Sequence, residues 1–302
     1  MRARLIYNPA ATTTSPRVRD AIAWRLSRRL ALDLSPTARR GHASTLAAEA
    51  AAEGIELVIT LGGDGTVNEV LQGLAGTASA LAVLPGGSTN VWARNLGVPA
   101  DAEQAADRLL ALLDAGQRRR VTLGLADGRY FAFAAGFGFD AAVVREVERR
   151  GTLKRTVRQG AFLWAALRTL ATRSGHRDAA ITVELDGQPC AEPAAAAIVC
   201  NCRPYTYLAR WPVQLCPQAD LEQGLALTTL SSLSLPHLLR TARAALGSGD
   251  VGDVPGVTLH PPVERLVLSH ASPLPLQLDG DDVGDVHRVE LRAAHAAVEL
   301  IA

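Results

Sequence analysis

The sequence predicts two kinds of architecture in one chain: an α/β half built on a mostly parallel sheet, then a β-rich half. Three observations carry this expectation. Short apolar strands alternate with helically spaced apolar residues over positions 1–122. Three polar loops each follow one of those strands, and beyond residue 122 the texture changes to short strands broken by Gly, Pro and Asp. At 302 residues the chain is long enough for two cores.

The first half reads in order. Residues 4–7 are an apolar strand that stops at Asn8-Pro9. Residues 17–32 carry Val18, Ile22, Leu26 and Leu30 at helical spacing, and 44–53 are an alanine-rich helix. Residues 56–61 form a buried strand running into Gly62-Gly63-Asp64-Gly65. Thr66-Val67-Asn68-Glu69 has the capping-box spacing, Thr at the N-cap and Glu three residues on. Residues 80–84 are another buried strand, followed by Pro85-Gly86-Gly87-Ser88-Thr89-Asn90 and a helix; 101–115 are helical. In parallel sheets ligands sit at the carboxyl ends of strands, where Asn8, Gly62–Gly65 and Gly86–Asn90 all fall.

In the second half, residues 122–125, 130–133, 180–185, 196–200, 225–230 and 266–270 read as strands, with a helical interruption over 153–172. The expected domains are 1–122 and 123–287, with the strand-like segment 288–302 returning to the first half.

Composition narrows the function classes. The net charge of +1 provides no field for nucleic acid. Lys154 is the only lysine, so the lysine-bearing P-loop spacing is absent. Cys190, Cys200, Cys202 and Cys216 lack zinc-ribbon spacing and read as buried structural thiols. No apolar run reaches the roughly 18 residues of a membrane span. The opening Met1-Arg2-Ala3-Arg4 lacks a signal peptide's apolar stretch, so the expected compartment is the cytosol.

The glycine loop at 62–65 carries the chemistry. Backbone N–H groups at a helix start, with no side chains in the way, favour a bound anion. A carboxylate beside a polyphosphate is unfavourable unless a divalent cation or a hydroxyl to be activated lies between them, so Asp64 points to phosphoryl transfer.

Taken in order, the motifs resemble the diacylglycerol kinase catalytic-domain family, which includes soluble bacterial diacylglycerol kinases and sphingosine and ceramide kinases. The matching pieces are Asn8-Pro9, Thr37 with Gly41-His42-Ala43, Gly62 to Val70, Pro85 to Asn90, Ala135 to Asp140, and Leu278-Asp279-Gly280-Asp281. The resemblance implies an N-terminal nucleotide-binding fold shared with NAD kinases and 6-phosphofructokinases, and a β-sandwich-like C-terminal domain. It places ATP on Asn8, Pro9, Thr37, Gly62, Gly63, Asp64, Gly65, Thr66, Asn68, Glu69, Gly87, Ser88 and Thr89. A lipid acceptor would enter a cleft between the domains. Asp281 would be the general base, with Asp279 and Asp64 completing the catalytic cluster and organising magnesium with ATP. Expected partners are ATP, a lipid acceptor and, transiently, the inner membrane face; nucleic acid is excluded and homodimerisation left open.

Three departures qualify the resemblance. Asp281 stands where the bacterial enzymes usually have Glu, setting the carboxylate back by roughly 1.5 Å. Gln223 replaces an Asp that holds a structural magnesium in some members, and an amide is a weaker ligand for a hard cation. Tyr205 to Arg210 replaces a glycine-rich turn. Asp279-Gly280 is also a hairpin signal, as is Asp186-Gly187. His42 is expected to be exposed near the nucleotide. The helix around Lys154, Arg155, Phe162 and Trp164 fits either a cover helix or a rest on anionic lipid. The alternatives are an NAD-kinase-like nucleotide kinase and a binding protein without turnover.

Overall fold

A computed structural model describes residues 1–149, 180–247 and 249–302; the expected helix over 153–172 and His176 lie outside the described residues. The chain divides into two compact units, Met1–Leu123 with Ala294–Ala302, and Gly124–Ala293.

The first unit is built on four parallel strands, β1 (Arg2–Tyr7), β2 (Ala31–Pro36), β3 (Leu57–Gly62) and β4 (Ala80–Pro85), in spatial order β4-β3-β1-β2. Every residue of β3 and β4 is buried, as in a parallel sheet covered on both faces. Helices α1 (Pro16–Ser27) and α5 (Ala102–Asp114) supply Ile22, Leu26, Ala106 and Leu109 to the core around Leu5, Leu57 and Ile59. Helices α2 (His42–Ala52) and α3 (Asp64–Leu74) pack together at Gly73, where a Cβ would lie 2.8 Å from Ala48 N. A short α4 (Val91–Asn95) follows β4. The last residues return here: Glu299 and Leu300 pair parallel with Ala80 and Leu81, and Ile301 joins the core.

One expected helix is shorter than its spacing suggested. Ser15 caps α1, its hydroxyl accepting from Val18 N, and the helix ends at Ser27 rather than at 32. Ala31–Pro36 is instead an edge strand in register with β1, Leu34 opposite Leu5. Its side chains are largely exposed, so it lacks the continuous apolar run of its buried neighbours.

The second unit is mainly antiparallel. Its strands are the end of β5 (Arg119–Ala126), β6 (Arg129–Phe131), β7 (Ala134–Phe137), β8 (Thr182–Leu185), β9 (Gln188–Pro189), β10 (Ala196–Cys200), β11 (Thr206–Leu208), β12 (Trp211–Val213), β13 (Leu225–Leu230), β14 (Val257–Val263), β15 (Arg265–Leu278) and most of β16 (Asp281–Leu300). The sheet runs β14-β13-β10-β7-β15, and β15 also pairs with β8 and β16. Strands β15 and β16 are longer than the sequence indicated, because register shifts at Ser269/Leu274 and Leu276/Gln277 break the alternation that marks a strand. Phe131, Phe137, Leu227, Leu276 and Leu291 centre the core. Two helices not anticipated, α6 (Phe139–Arg149) and α7 (Leu235–Leu246), complete the described part.

Candidate active site

Two loops of the first unit come so close that only glycine fits between them. Gly86 N donates to Gly62 O at 2.8 Å. A Cβ on Gly87 would lie 2.5 Å from Gly63 Cα, and one on Gly86 would lie 2.7 Å from Gly62 N. Gly65 differs: nothing among the described residues lies within 4 Å of where its Cβ would be, leaving space at the start of α3. That helix has Gly63 as N-cap and no side-chain cap, so its first turn presents backbone amides and the positive end of the helix dipole. Such a terminus takes an anion.

The surrounding polar residues hold this edge in shape. Asp64 Oδ1 accepts from Trp92 N at 3.2 Å, tying the carboxylate to the first turn of α4 at the fully buried Trp92. Asn90, at φ 48°, closes its loop on Gly87 with both side-chain atoms, at 2.9 and 2.8 Å, and leaves Ser88 exposed. Asn8 N donates to Leu61 O, and Asn8 Oδ1 accepts from Ala10 N. Thr37 N donates to Tyr7 O. Asn8 and Thr37, Gly62 to Gly65, and Gly87 to Thr89 therefore stand at the carboxyl ends of four neighbouring strands.

Three expected nucleotide residues sit behind the loop rather than on it. Thr66 is buried inside α3, directly beneath Gly62, and Asn68 is buried. The capping box does not form, because the helix already starts at Asp64. Glu69 instead accepts from Ala43 N at 3.1 Å and caps α2. His42 is half-buried rather than exposed, its Nδ1 accepting from Ala38 N. One residue the sequence reading passed over is Thr14. Its hydroxyl is buried against Gly86 without a hydrogen-bond partner among the described residues, and Thr13 N donates to Gly86 O at 3.0 Å. The polar run Thr12-Thr13-Thr14-Ser15 after Asn8-Pro9 was the available signal.

In the second unit, Asp279 and Gly280 form the two-residue turn between β15 and β16, at φ 54° and 82°, with Leu278 opposite Asp281. Asp279 accepts from the amides of Ala132, Phe133 and Ala134 at 2.7, 2.8 and 3.1 Å. This carboxylate locks the turn onto the β6–β7 segment. Three amides thus fix the orientation of both carboxylate oxygens. Asp281 Oδ2 accepts from Arg129 Nη2 at 2.7 Å, with both side chains about one-third exposed. Asp282 is held by Arg145 of α6 on both oxygens, at 2.6 and 2.8 Å.

A partly buried relay supports the same turn. Gln277 Oε1 accepts from Gly280 N at 2.8 Å, and Gln277 Nε2 donates to Asp140 at 2.9 Å. Tyr205 OH donates to the other Asp140 oxygen at 3.0 Å. Burial pushes the Asp140 carboxyl above the usual carboxylate range, and the two hydrogen bonds offset part of that. Burial also raises the nearby Cys200 thiol, in keeping with a structural rather than a reactive cysteine. Among the described residues no group of three or more His, Cys, Asp or Glu side chains is placed to hold a metal ion.

An uncapped helix start behind a glycine cradle, in an α/β unit followed by a β-rich one, defines a phosphotransferase-like architecture. Residues 2–125 match the diacylglycerol kinase catalytic domain. The chain is 30% identical over 288 residues to a Pseudomonas savastanoi pv. phaseolicola protein named "Probable lipid kinase YegS-like", covering 94% of this chain and 88% of that one. It is 29% identical to a "Diacylglycerol kinase" of Bacillus subtilis (strain 168), covering 93% and 89%. A diacylglycerol kinase crystal structure from Bacillus anthracis str. Sterne superposes with a TM-score of 0.77 at 22% identity, covering 99% of this chain and 96% of that one, and shares the fold. The chain belongs to the family of lipid kinases that carry the diacylglycerol kinase catalytic domain.

Proposed function

We propose that the chain transfers the γ-phosphoryl group of ATP to a hydroxyl of a diacylglycerol-like or sphingoid lipid, working at the cytoplasmic face of a membrane. The observation that carries this reading is the pair of glycine loops converging on an uncapped helix start, a backbone cradle suited to polyphosphate. In the reaction the acceptor oxygen bonds to the γ-phosphorus as the bond to ADP breaks, and the hydroxyl proton passes to Asp281. The amides around Gly63 to Gly65 and at Ser88 and Thr89 hold the phosphates, and Thr14 packs behind Gly86 to support that loop. Arg129 sets the orientation of the Asp281 carboxylate.

Magnesium fits this site as a nucleotide-borne ion. One carboxylate, Asp64, together with phosphate oxygens and water suits a cation that is seldom held by an all-protein cage. Bound there, magnesium supplies charge neutralisation for the transferring group.

The test is transfer of radiolabel from ATP to a pooled lipid extract in mixed micelles with magnesium. A labelled lipid that is lost in Asp64→Asn supports the reading, and its mass names the acceptor. ATP binding without any labelled lipid would overturn it in favour of a binding protein. The short Asp281 side chain, tied to Arg129, is the observation that favours that second reading. Asp281→Glu separates the two, since gain of turnover would locate the deficit in side-chain length.

A further inference from the structure

Helix α7 carries apolar residues on the side where none are needed. It buries His237, Thr241 and Ala245. Yet Leu235, Leu239, Ala242 and Leu246 recur along the opposite face at positions i, i+4, i+7 and i+11. Leu235 and Leu239 are 46% and 55% exposed. Arg240 and Arg243 are exposed along the flank of this stripe, and among the described residues neither has an ion-pair partner.

The β11–β12 hairpin is fastened beside that helix. Gln214 N, just past β12, donates to Ala245 O at 2.9 Å, and Val213 and Leu215 pack with Ala245 in the core. The hairpin's cross-strand pair is Leu208 opposite Trp211, with Trp211 55% exposed. Arg210 lies over the Trp211 ring, 5.2 Å from its centroid. Ala209 turns the chain at φ 54°, a backbone region that disfavours a side chain. Four of the eight exposed large apolar side chains among the described residues, Leu208, Trp211, Leu235 and Leu239, fall on these two elements. Isolated exposed apolar residues are ordinary, whereas such clustering marks an interaction surface.

We propose that the hairpin tip and the outer stripe of α7 form a docking surface for an anionic lipid bilayer. Tryptophan and leucine suit the boundary between headgroups and acyl chains, and the three arginines suit anionic headgroups. A second copy of the chain meeting the same face about a two-fold axis would set arginine against arginine. The choice of a bilayer rests on the lipid-kinase reading, but its test uses neither ATP nor acceptor, so either can fail alone.

The test is flotation of the full chain with phosphatidylcholine vesicles, with and without phosphatidylglycerol. The wild type is expected to float with the phosphatidylglycerol vesicles, and less so at high salt. Trp211→Ser and Leu239→Ser should each lower partitioning by about 10-fold. Arg240→Gln with Arg243→Gln should reduce the preference for the anionic vesicles. Trp24→Ser is the control: Trp24 is 64% exposed in the first unit with Arg28 over its ring, and its loss should leave flotation unchanged. Thermal melting checks the fold, and Leu235→Ser replaces Leu239→Ser if the latter melts early. The proposal fails if the wild type does not float, if the Trp211 and leucine variants float like the wild type, or if Trp24→Ser loses as much. It also fails if the leucine variants change the sedimentation coefficient without vesicles, which would assign the stripe to self-association.

Discussion

Two Asp-Gly turns in the second unit have the same backbone and different surroundings. Asp186-Gly187 joins β8 to β9 at φ 49° and 82°; Asp279-Gly280 joins β15 to β16 at φ 54° and 82°. Both aspartates fasten the turn to a neighbouring segment. Asp186 Oδ1 accepts from Glu264 N and Arg265 N at 3.1 and 2.8 Å, and Asp279 accepts from three amides. The residues that follow differ. Gln188 is exposed on a two-residue strand, whereas Asp281 stands against Arg129 in a turn braced from below by Gln277 and Asp140. The local code makes a turn in both places; the neighbours make only one of them a candidate site.

The sharpest break in the comparison is expected in turnover. Asp281→Asn should cut acceptor-dependent ADP release by about 10²- to 10⁴-fold, the usual worth of a general base. Gln188→Ala, one position past the other turn, should leave the rate unchanged.

Stability should separate the turns next. Asp279→Ala strands three amides and should cost about 3 kcal/mol in urea unfolding. Asp186→Ala, whose carboxylate serves two amides on an exposed turn, should cost less.

The relay beneath the second turn gives a pH signature. The folded protein holds the Asp140 carboxyl above its ordinary 3.8. At pH above that raised value the buried charge opposes folding; the penalty fades as pH falls through it and is gone below 3.8. Asp140→Asn lacks the penalty, so its stability advantage over the wild type should shrink as pH falls from neutral. Urea midpoints at several pH values measure this, and a difference independent of pH would refute it.

The smallest effect is expected at the glycines. Among the described residues nothing lies within 4 Å of a Cβ on either Gly187 or Gly280. Each Gly→Ala change should therefore cost only the roughly 1–2 kcal/mol of a left-handed alanine, about equally at the two turns. Turnover should fall only for Gly280→Ala.

Much of the first unit was readable before the fold was known. Its strands β3 and β4 are nearly continuous apolar runs and β1 ends in one, Leu5-Ile6-Tyr7, and their polar ends mark the edge where the candidate phosphate loops gather. The edge strand β2 was not readable, because its exposed side chains mimic the end of a helix. Glu69 was readable as a helix cap but not as the cap of a different helix; spacing describes neighbours in sequence, and α2 is a neighbour only in space. Helix α7 escaped notice because leucines on both its faces blur the one-sided stripe that marks a surface helix.

The sequence by itself determined the strand–loop order, the glycine cradle, the turn at 279–280 and the family, because each depends on residues adjacent in the chain. Only the tertiary structure decided which donors each carboxylate meets. Asp279 meets three amides about 145 residues away, Asp282 meets Arg145, and Asp281 meets Arg129. A carboxylate accepts whatever donors the fold brings within reach, and that reach is set by packing rather than by sequence distance.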